Sequence, residues 1–168
     1  TRDYGGHVET TGGSLLECCL AIQEERNLTL VHPFDDPLII AGQGTVGLEI
    51  TDDVPELDYV ITGVGGGGLI SGIAAAVKAK NPDAKIIGVE PEGAQTMTRA
   101  LLKGAPVHLT HVNTVADGLA APFVGQHNLA HVQKLVEQIV LVSDAEIITA
   151  LKLLWERCKV LAEPAAAA

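Results

Sequence analysis

Apolar positions along the chain fall into short continuous runs separated by amphipathic or small-residue stretches. Ser14-Leu15-Leu16-Glu17 has the form of a capping box and predicts a helix reaching about residue 26. Residues 28–32 are apolar and partly β-branched, which predicts a short strand. Asp36-Pro37 pairs an N-cap with a proline at the first helical position and opens a helix to about residue 50. Gly42, Gly44 and Gly47 within it weaken the helix, so they predict close backbone packing. Residues 58–64 form a continuous apolar run, as in a strand buried on both faces. Four glycines follow, then a small-residue helix over 69–80, a turn at Asn81-Pro82-Asp83 and a second buried strand over 85–90. A helix over 95–103 stops at Gly104, and residues 105–125 read as loop. Residues 128–137 predict a helix and 138–142 a strand. Ser143-Asp144-Ala145-Glu146 is a second capping box, opening a helix to about residue 161. Strands alternating with helices predict an α/β fold, a parallel sheet flanked by helices on both faces.

Composition narrows the partners. Hydrophobic residues make up 47% of the 168 and charged residues 19%, which supports a packed core and argues against disorder. With only two Phe, two Tyr and one Trp, that core is built from Val, Ile, Leu and Ala. A net charge of −10 repels nucleic acid and anionic lipid, so neither is expected as a partner. No apolar run reaches membrane-spanning length. Cys18, Cys19 and Cys158 make no CxxC pair and read as reduced, buried cysteines of a cytoplasmic protein. The first residue is not Met and the last four are Ala165 to Ala168, so both ends read as positions inside a longer protein.

The most informative local feature is the order strand, Gly65-Gly66-Gly67-Gly68, helix. Successive backbone N–H groups at a helix start form an anion cradle, and a phosphate is its natural guest. No lysine follows in a Walker pattern, which argues against a nucleotide γ-phosphate. Gly63 to Gly68 also satisfies G-x-G-x-x-G, and Glu90 ends the next strand where a ribose-binding acid would sit. The loop alone thus leaves open a dinucleotide, another phosphate-bearing cofactor or a structural turn, although four glycines exceed what the dinucleotide fingerprint needs.

Its neighbours add an ordered set of motifs. Val31-His32-Pro33-Phe34-Asp35-Asp36-Pro37, Ala41-Gly42-Gln43-Gly44-Thr45 and Gly47-Leu48-Glu49 resemble the central segment of threonine dehydratases. Val64 to Leu69, Val89-Glu90-Pro91, Ala116-Asp117-Gly118, Trp155-Glu156-Arg157 and Glu163-Pro164 follow in that family's order. From Tyr4-Gly5 onward the chain resembles the threonine/serine dehydratase and serine racemase group of fold-type II pyridoxal-phosphate enzymes. The resemblance implies that residues 1–34 end a small domain and 35–168 form part of the large cofactor-binding domain. It implies pyridoxal 5'-phosphate as cofactor, with Gly65, Gly66, Gly67, Gly68 and Leu69 donating to its phosphate. Phe34, in a position that is often Asn in relatives, lies near the cofactor and can only pack. Gly118 lines the active-site mouth, and Glu163 sits near the ring or the entering amino acid.

The resemblance also marks what is missing. The family's Schiff-base lysine lies in an upstream Ser-x-Lys-x-Arg-Gly motif that none of Lys78, Lys80, Lys85, Lys103, Lys134, Lys152 or Lys159 matches. The Ser-x-Gly-Asn-His substrate segment and the downstream loop that meets the pyridine nitrogen are also absent. The implied activity of the intact protein is elimination from threonine or serine to a 2-oxo acid and ammonia, with these residues alone inactive. Serine racemisation is the alternative in the same site; an NAD-binding oxidoreductase domain and a non-catalytic phosphate-binding fragment are alternatives of other classes. Family members assemble as dimers or tetramers, which implies a homo-oligomer. Some relatives hold a divalent cation near the position of Glu90, with the carbonyl at Ala94 and an acid two residues later. Thr96 occupies that last position, so no metal is expected. His108, His111, His127 and His131 lack a completing Cys or carboxylate and read as solvated histidines. Asp117 fits a turn former or part of the site wall equally well. Leu151, Leu154, Trp155 and Cys158 read as core.

Overall fold

Two units are distinguished in the computed structural model, which describes residues 1–168: Thr1–His32 and Pro33–Ala168. In the first, Ser14 caps helix α1 (Leu15–Arg26) by accepting from the Glu17 amide at 3.3 Å. Only this half of the predicted capping box forms. The helix ends on Asn27 in the left-handed region, at φ 49°. An exposed Arg26–Glu9 ion pair spans 2.7 Å. The strand expected over 28–32 does not form, and Leu28 and Val31 are exposed. An extended segment becomes a strand only when a neighbouring strand takes its backbone groups, and the paired strands of this chain lie elsewhere in the sequence. Cys19 is exposed and Cys18 half-buried, contrary to the expectation of buried thiols.

In the second unit Asp36 caps α2 (Pro37–Asp53), accepting from the Leu38 and Ile39 amides at 2.7 and 3.2 Å. Strands β1 (Tyr59–Gly63), β2 (Lys85–Pro91) and β3 (Gln138–Val142) form one parallel sheet in the order β1-β2-β3. Val60 pairs with Ile86 and Val89 with Val140, which fixes the register. Helix α3 (Gly68–Lys80) links β1 to β2; α4 (Thr96–Lys103), a long loop and α5 (Gln126–Leu135) link β2 to β3. β2 is buried from Ile86 onward, as expected of a central strand. β1 is not: Tyr59 and Ile61 are exposed, because β1 is an edge strand.

One core cluster joins Val60, Ile70, Ile73, Val77, Ile86 and Leu129. A second joins Ala116, Leu119 and Ile147 with α6 (Asp144–Leu153), whose capping box between Ser143 and Glu146 is complete. Glu146 is held below its ordinary pKa by the Ser143 amide and hydroxyl. α6 ends earlier than its sequence suggests, passing into a single π turn over Leu154–Cys158 that Lys159 closes at φ 58°. Trp155 and Cys158, expected in the core, are exposed. The Trp155 indole N–H instead donates to the Ala162 carbonyl at 2.9 Å.

The predicted close packing of α2 resides at two of its three glycines. A Cβ on Gly47 would stand 2.9 Å from Ala76 Cβ and 2.9 Å from the Ile73 carbonyl, and one on Gly44 3.3 Å from the Gly72 carbonyl. Gly42 faces open space. α2 and α3 thus meet backbone to backbone, and this contact seats the N-terminus of α3.

Candidate functional site

The turn from β1 into α3 places the four glycines at the C-terminal edge of the parallel sheet, where open α/β sheets bind ligands. Val64 N–H donates to the Val89 carbonyl at 2.8 Å and Ser71 N–H to the Gly67 carbonyl at 3.1 Å. Between them, the amides of Gly65 to Leu69 find no acceptor in the chain's hydrogen bonds. Gly67 adopts φ 93°, a conformation that L side chains rarely take, and precedes the first residue of α3. Thirteen residues of helix add their dipole behind these amides. The result is a cradle of uncommitted donors at a positive helix end, suited to a phosphate.

The other predicted residues gather around it. A Cβ on Gly66 would run into the Phe34 ring, and one on Gly68 would lie 2.9 Å from Phe34 Cβ. Phe34 packs against Phe123 with ring centroids 4.9 Å apart. A Cβ on Gly65 would stand 3.2 Å from Leu119 Cα and 3.5 Å from the Gly118 carbonyl oxygen. A Cβ on Gly118 would in turn stand 3.3 Å from Glu163 Oε1. Leu69, Gly118, Leu119 and Glu163 line one open cavity of about 430 Å³ with Thr62 and Gly63. Residues far apart in the chain therefore form one cup and one adjoining hollow. The Gly118 segment is tied down by Asp144, which accepts from the Thr114 hydroxyl at 2.6 Å and the Val115 amide at 3.1 Å.

Glu90, at the end of β2, takes another role. Its side chain is fully buried and accepts from Met97 N–H at 2.6 Å, Thr98 N–H at 2.9 Å and the Thr98 hydroxyl at 2.7 Å. These amides open α4, so Glu90 caps that helix from outside it. Thr96 donates its hydroxyl to the Ala121 carbonyl at 2.7 Å. Burial pushes the Glu90 carboxyl above its ordinary value of 4.5, and the hydrogen bonds from Thr98 and Met97 oppose this. Glu90→Gln is expected to destabilise the protein, because its NH₂ confronts donors where a carboxyl oxygen, protonated or not, accepted; roughly 1–2 kcal/mol is expected at acid pH. A raised folded-state pKa adds stability that is complete below 4.5 and is lost as pH rises through the folded value. The gap between wild type and variant should therefore be widest in acid and narrow toward neutrality. Urea midpoints across that range measure it.

Asn128 is the residue that sequence reasoning passes over. Its fully buried side chain donates to the Phe34 carbonyl at 3.0 Å and the Gly66 carbonyl at 3.1 Å. The one available signal is a carboxamide on the same helix face as buried Leu129 and Val132. His131 Nδ1 lies 2.8 Å from the His127 carbonyl within α5, and no group of three His, Cys, Asp or Glu side chains converges.

The chain is similar along nearly its whole length to characterised proteins. The L-threonine ammonia-lyase of Geobacter sulfurreducens is 44% identical over 170 residues, covering 99% of this chain and 42% of the relative. The serine racemase of Oryza sativa subsp. indica is 42% identical over 169 residues, covering 99% and 50%. The processed form of threonine deaminase isoform 2 from Solanum lycopersicum superposes with a TM-score of 0.92 at 40% identity, over 99% of this chain and 47% of that one. The chain thus spans about half the length of the relatives that it matches. The family described as "Pyridoxal-phosphate dependent enzyme" matches residues 1–168. A parallel α/β core with a free-amide glycine cup, matched from end to end, places this chain in the pyridoxal-phosphate dependent enzyme family.

Proposed function

We propose that the protein is a pyridoxal-phosphate-dependent threonine or serine ammonia-lyase, in which residues 35–168 supply the phosphate-binding part of the large domain and residues 1–34 the end of the small one. The observation that carries this reading is the row of uncommitted amides from Gly65 to Leu69. They fit the cofactor's phosphate: every donor is main-chain, the helix end favours a dianion, and glycine keeps side chains off the cup. Membership of the family removes the dinucleotide alternative for Gly63 to Gly68.

When bound, the cofactor supplies an electron sink for the substrate α-carbon. The part played by this chain is positional. Amides at Gly65, Gly66, Gly67, Gly68 and Leu69 hold one end of the ligand and so fix where its ring lies. Phe34 backs the cup through apolar contact. Gly118 leaves the mouth open, and the Glu163 carboxylate beside it attracts the ammonium group of an entering amino acid. The reactive lysine comes from a segment outside these residues. Threonine ammonia-lyases among the relatives support elimination; serine racemase is a second reading, supported by the 42% identity to the rice protein. A homo-oligomer and a cytoplasmic location belong to the same proposal, and no helix is long and apolar enough to cross a membrane.

The test is direct. The intact protein, loaded with pyridoxal phosphate, should absorb near the violet edge of the visible. Borohydride should fix the cofactor to a lysine outside residues 1–168, and threonine or serine should yield a 2-oxo acid. Labelling of one of this chain's own lysines, such as Lys78 or Lys85, would overturn the assignment.

A further inference from the structure

We propose that Asn128 is a positioning residue for the phosphate cup, its buried carboxamide holding the Gly66 carbonyl and thereby aiming the Gly67 N–H. The inference rests on the reading of Gly65 to Leu69 as a phosphate site and adds to it the element that gives the cup its shape.

Four consecutive glycines have more conformational freedom than any other sequence, and a Gly-Gly peptide plane rotates with little steric resistance. Something outside the loop must choose its orientation. The Asn128 Nδ2 group donates to the Gly66 carbonyl at 3.1 Å, and this bond is buried. No peptide bond in the chain is cis. In a trans peptide the C=O of one residue and the N–H of the next point in opposite directions. Holding the Gly66 oxygen toward Asn128 therefore turns the Gly67 N–H away from it.

Asn128 is itself held from three sides. Its second Nδ2 hydrogen goes to the Phe34 carbonyl at 3.0 Å. Its own amide donates to Asp35 Oδ1 at 3.0 Å, and its carbonyl accepts from the Ser71 hydroxyl at 3.5 Å. The segment that backs the cup, the helix that opens it and α5 thus converge on this one residue. Asn128 Cβ would also stand 3.1 Å from a Cβ placed on Gly67. Asn128 Oδ1 is buried without a partner. Both donor hydrogens are used and the acceptor is idle, so the side chain is placed for what it donates. A residue serving only to fill the core would be apolar, and one serving only to cap α5 would accept.

The experiment compares two ligands that differ by the phosphate alone. The intact protein, stripped of cofactor, is titrated with pyridoxal phosphate and with pyridoxal, and the ratio of the two dissociation constants is the readout. Wild type should favour pyridoxal phosphate strongly. Asn128→Ala should cut that preference about tenfold, the value of one or two hydrogen bonds, while affinity for pyridoxal stays unchanged. Asn128→Asp keeps the side chain's shape but replaces both donors with acceptors and should lose at least as much of the preference; if the alanine variant does not fold, the aspartate variant decides by the same ratio. Equal losses for both ligands, or none for either, would overturn the role of Asn128 and leave the phosphate cup standing. A wild type that binds pyridoxal as tightly as pyridoxal phosphate would overturn the cup, and with it this inference.

Discussion

Gly72→Ala is expected to destabilise the protein by about 3 kcal/mol or more, the upper end of what overpacking a core costs. A Cβ there would run into the Ile40 carbonyl and stand 2.5 Å from Gly44 N and 2.7 Å from the Gln43 carbonyl carbon. All three neighbours are main-chain atoms in the middle of α2, so no rotamer change relieves the contact. The helices must move apart, and the packing of Ile40 and Ile73, both buried, opens with them. For a chain of this size the melting temperature should fall by roughly 6–12 °C. Gly42→Ala is the control: it lies in the facing helix α2, a Cβ there meets nothing within 4 Å, and the protein should gain about 0.5–1 kcal/mol from helix propensity. A loss under about 1 kcal/mol for Gly72→Ala would mean that α2 and α3 do not approach this closely.

The second large effect is expected at Gly67. Its φ of 93° costs a residue with a Cβ about 1–2 kcal/mol. The new Cβ would also stand 2.6 Å from Met97 Cε and 3.1 Å from Asn128 Cβ. Met97 Cε, at the end of a flexible side chain, can yield; Asn128 Cβ, beside the helix backbone, yields less. The loop relieves both strains by turning the Gly67 peptide, which withdraws a donor from the cup. A charge-assisted hydrogen bond is worth roughly 1.5–3 kcal/mol, so affinity for pyridoxal phosphate should fall by a factor of about 10–100. Thermal stability should fall far less than in Gly72→Ala. Cofactor titration and melting curves on the two variants separate a binding defect from a folding defect. Unchanged cofactor affinity in Gly67→Ala would show that this part of the loop does not face the phosphate.

The contrast between these glycines shows how much of the protein is legible in sequence. Alternation of apolar runs with helical stretches specified three parallel strands and the helices between them, because burial on a sheet imposes its pattern locally. Residues 138–142 were bounded correctly for that reason. The strand expected over 28–32 failed, since pairing needs a neighbour that an apolar run does not reveal. Trp155 failed similarly: helical spacing placed it in the core, but a π turn rotates the end of α6 and leaves the indole exposed to bond Ala162.

For the site, the sequence by itself determined that four glycines follow a strand and open a helix, and the order of the surrounding motifs determined the family. Both depend on residues adjacent in the chain, where spacing and backbone freedom suffice. Only the tertiary structure decided that Leu69, Gly118 and Glu163 share one cavity, that Glu90 caps α4, and that Asn128 reaches Gly66 across 62 positions. Those choices follow from burial, which forces each polar atom to find a partner wherever the fold brings one, and chain order records no such distance.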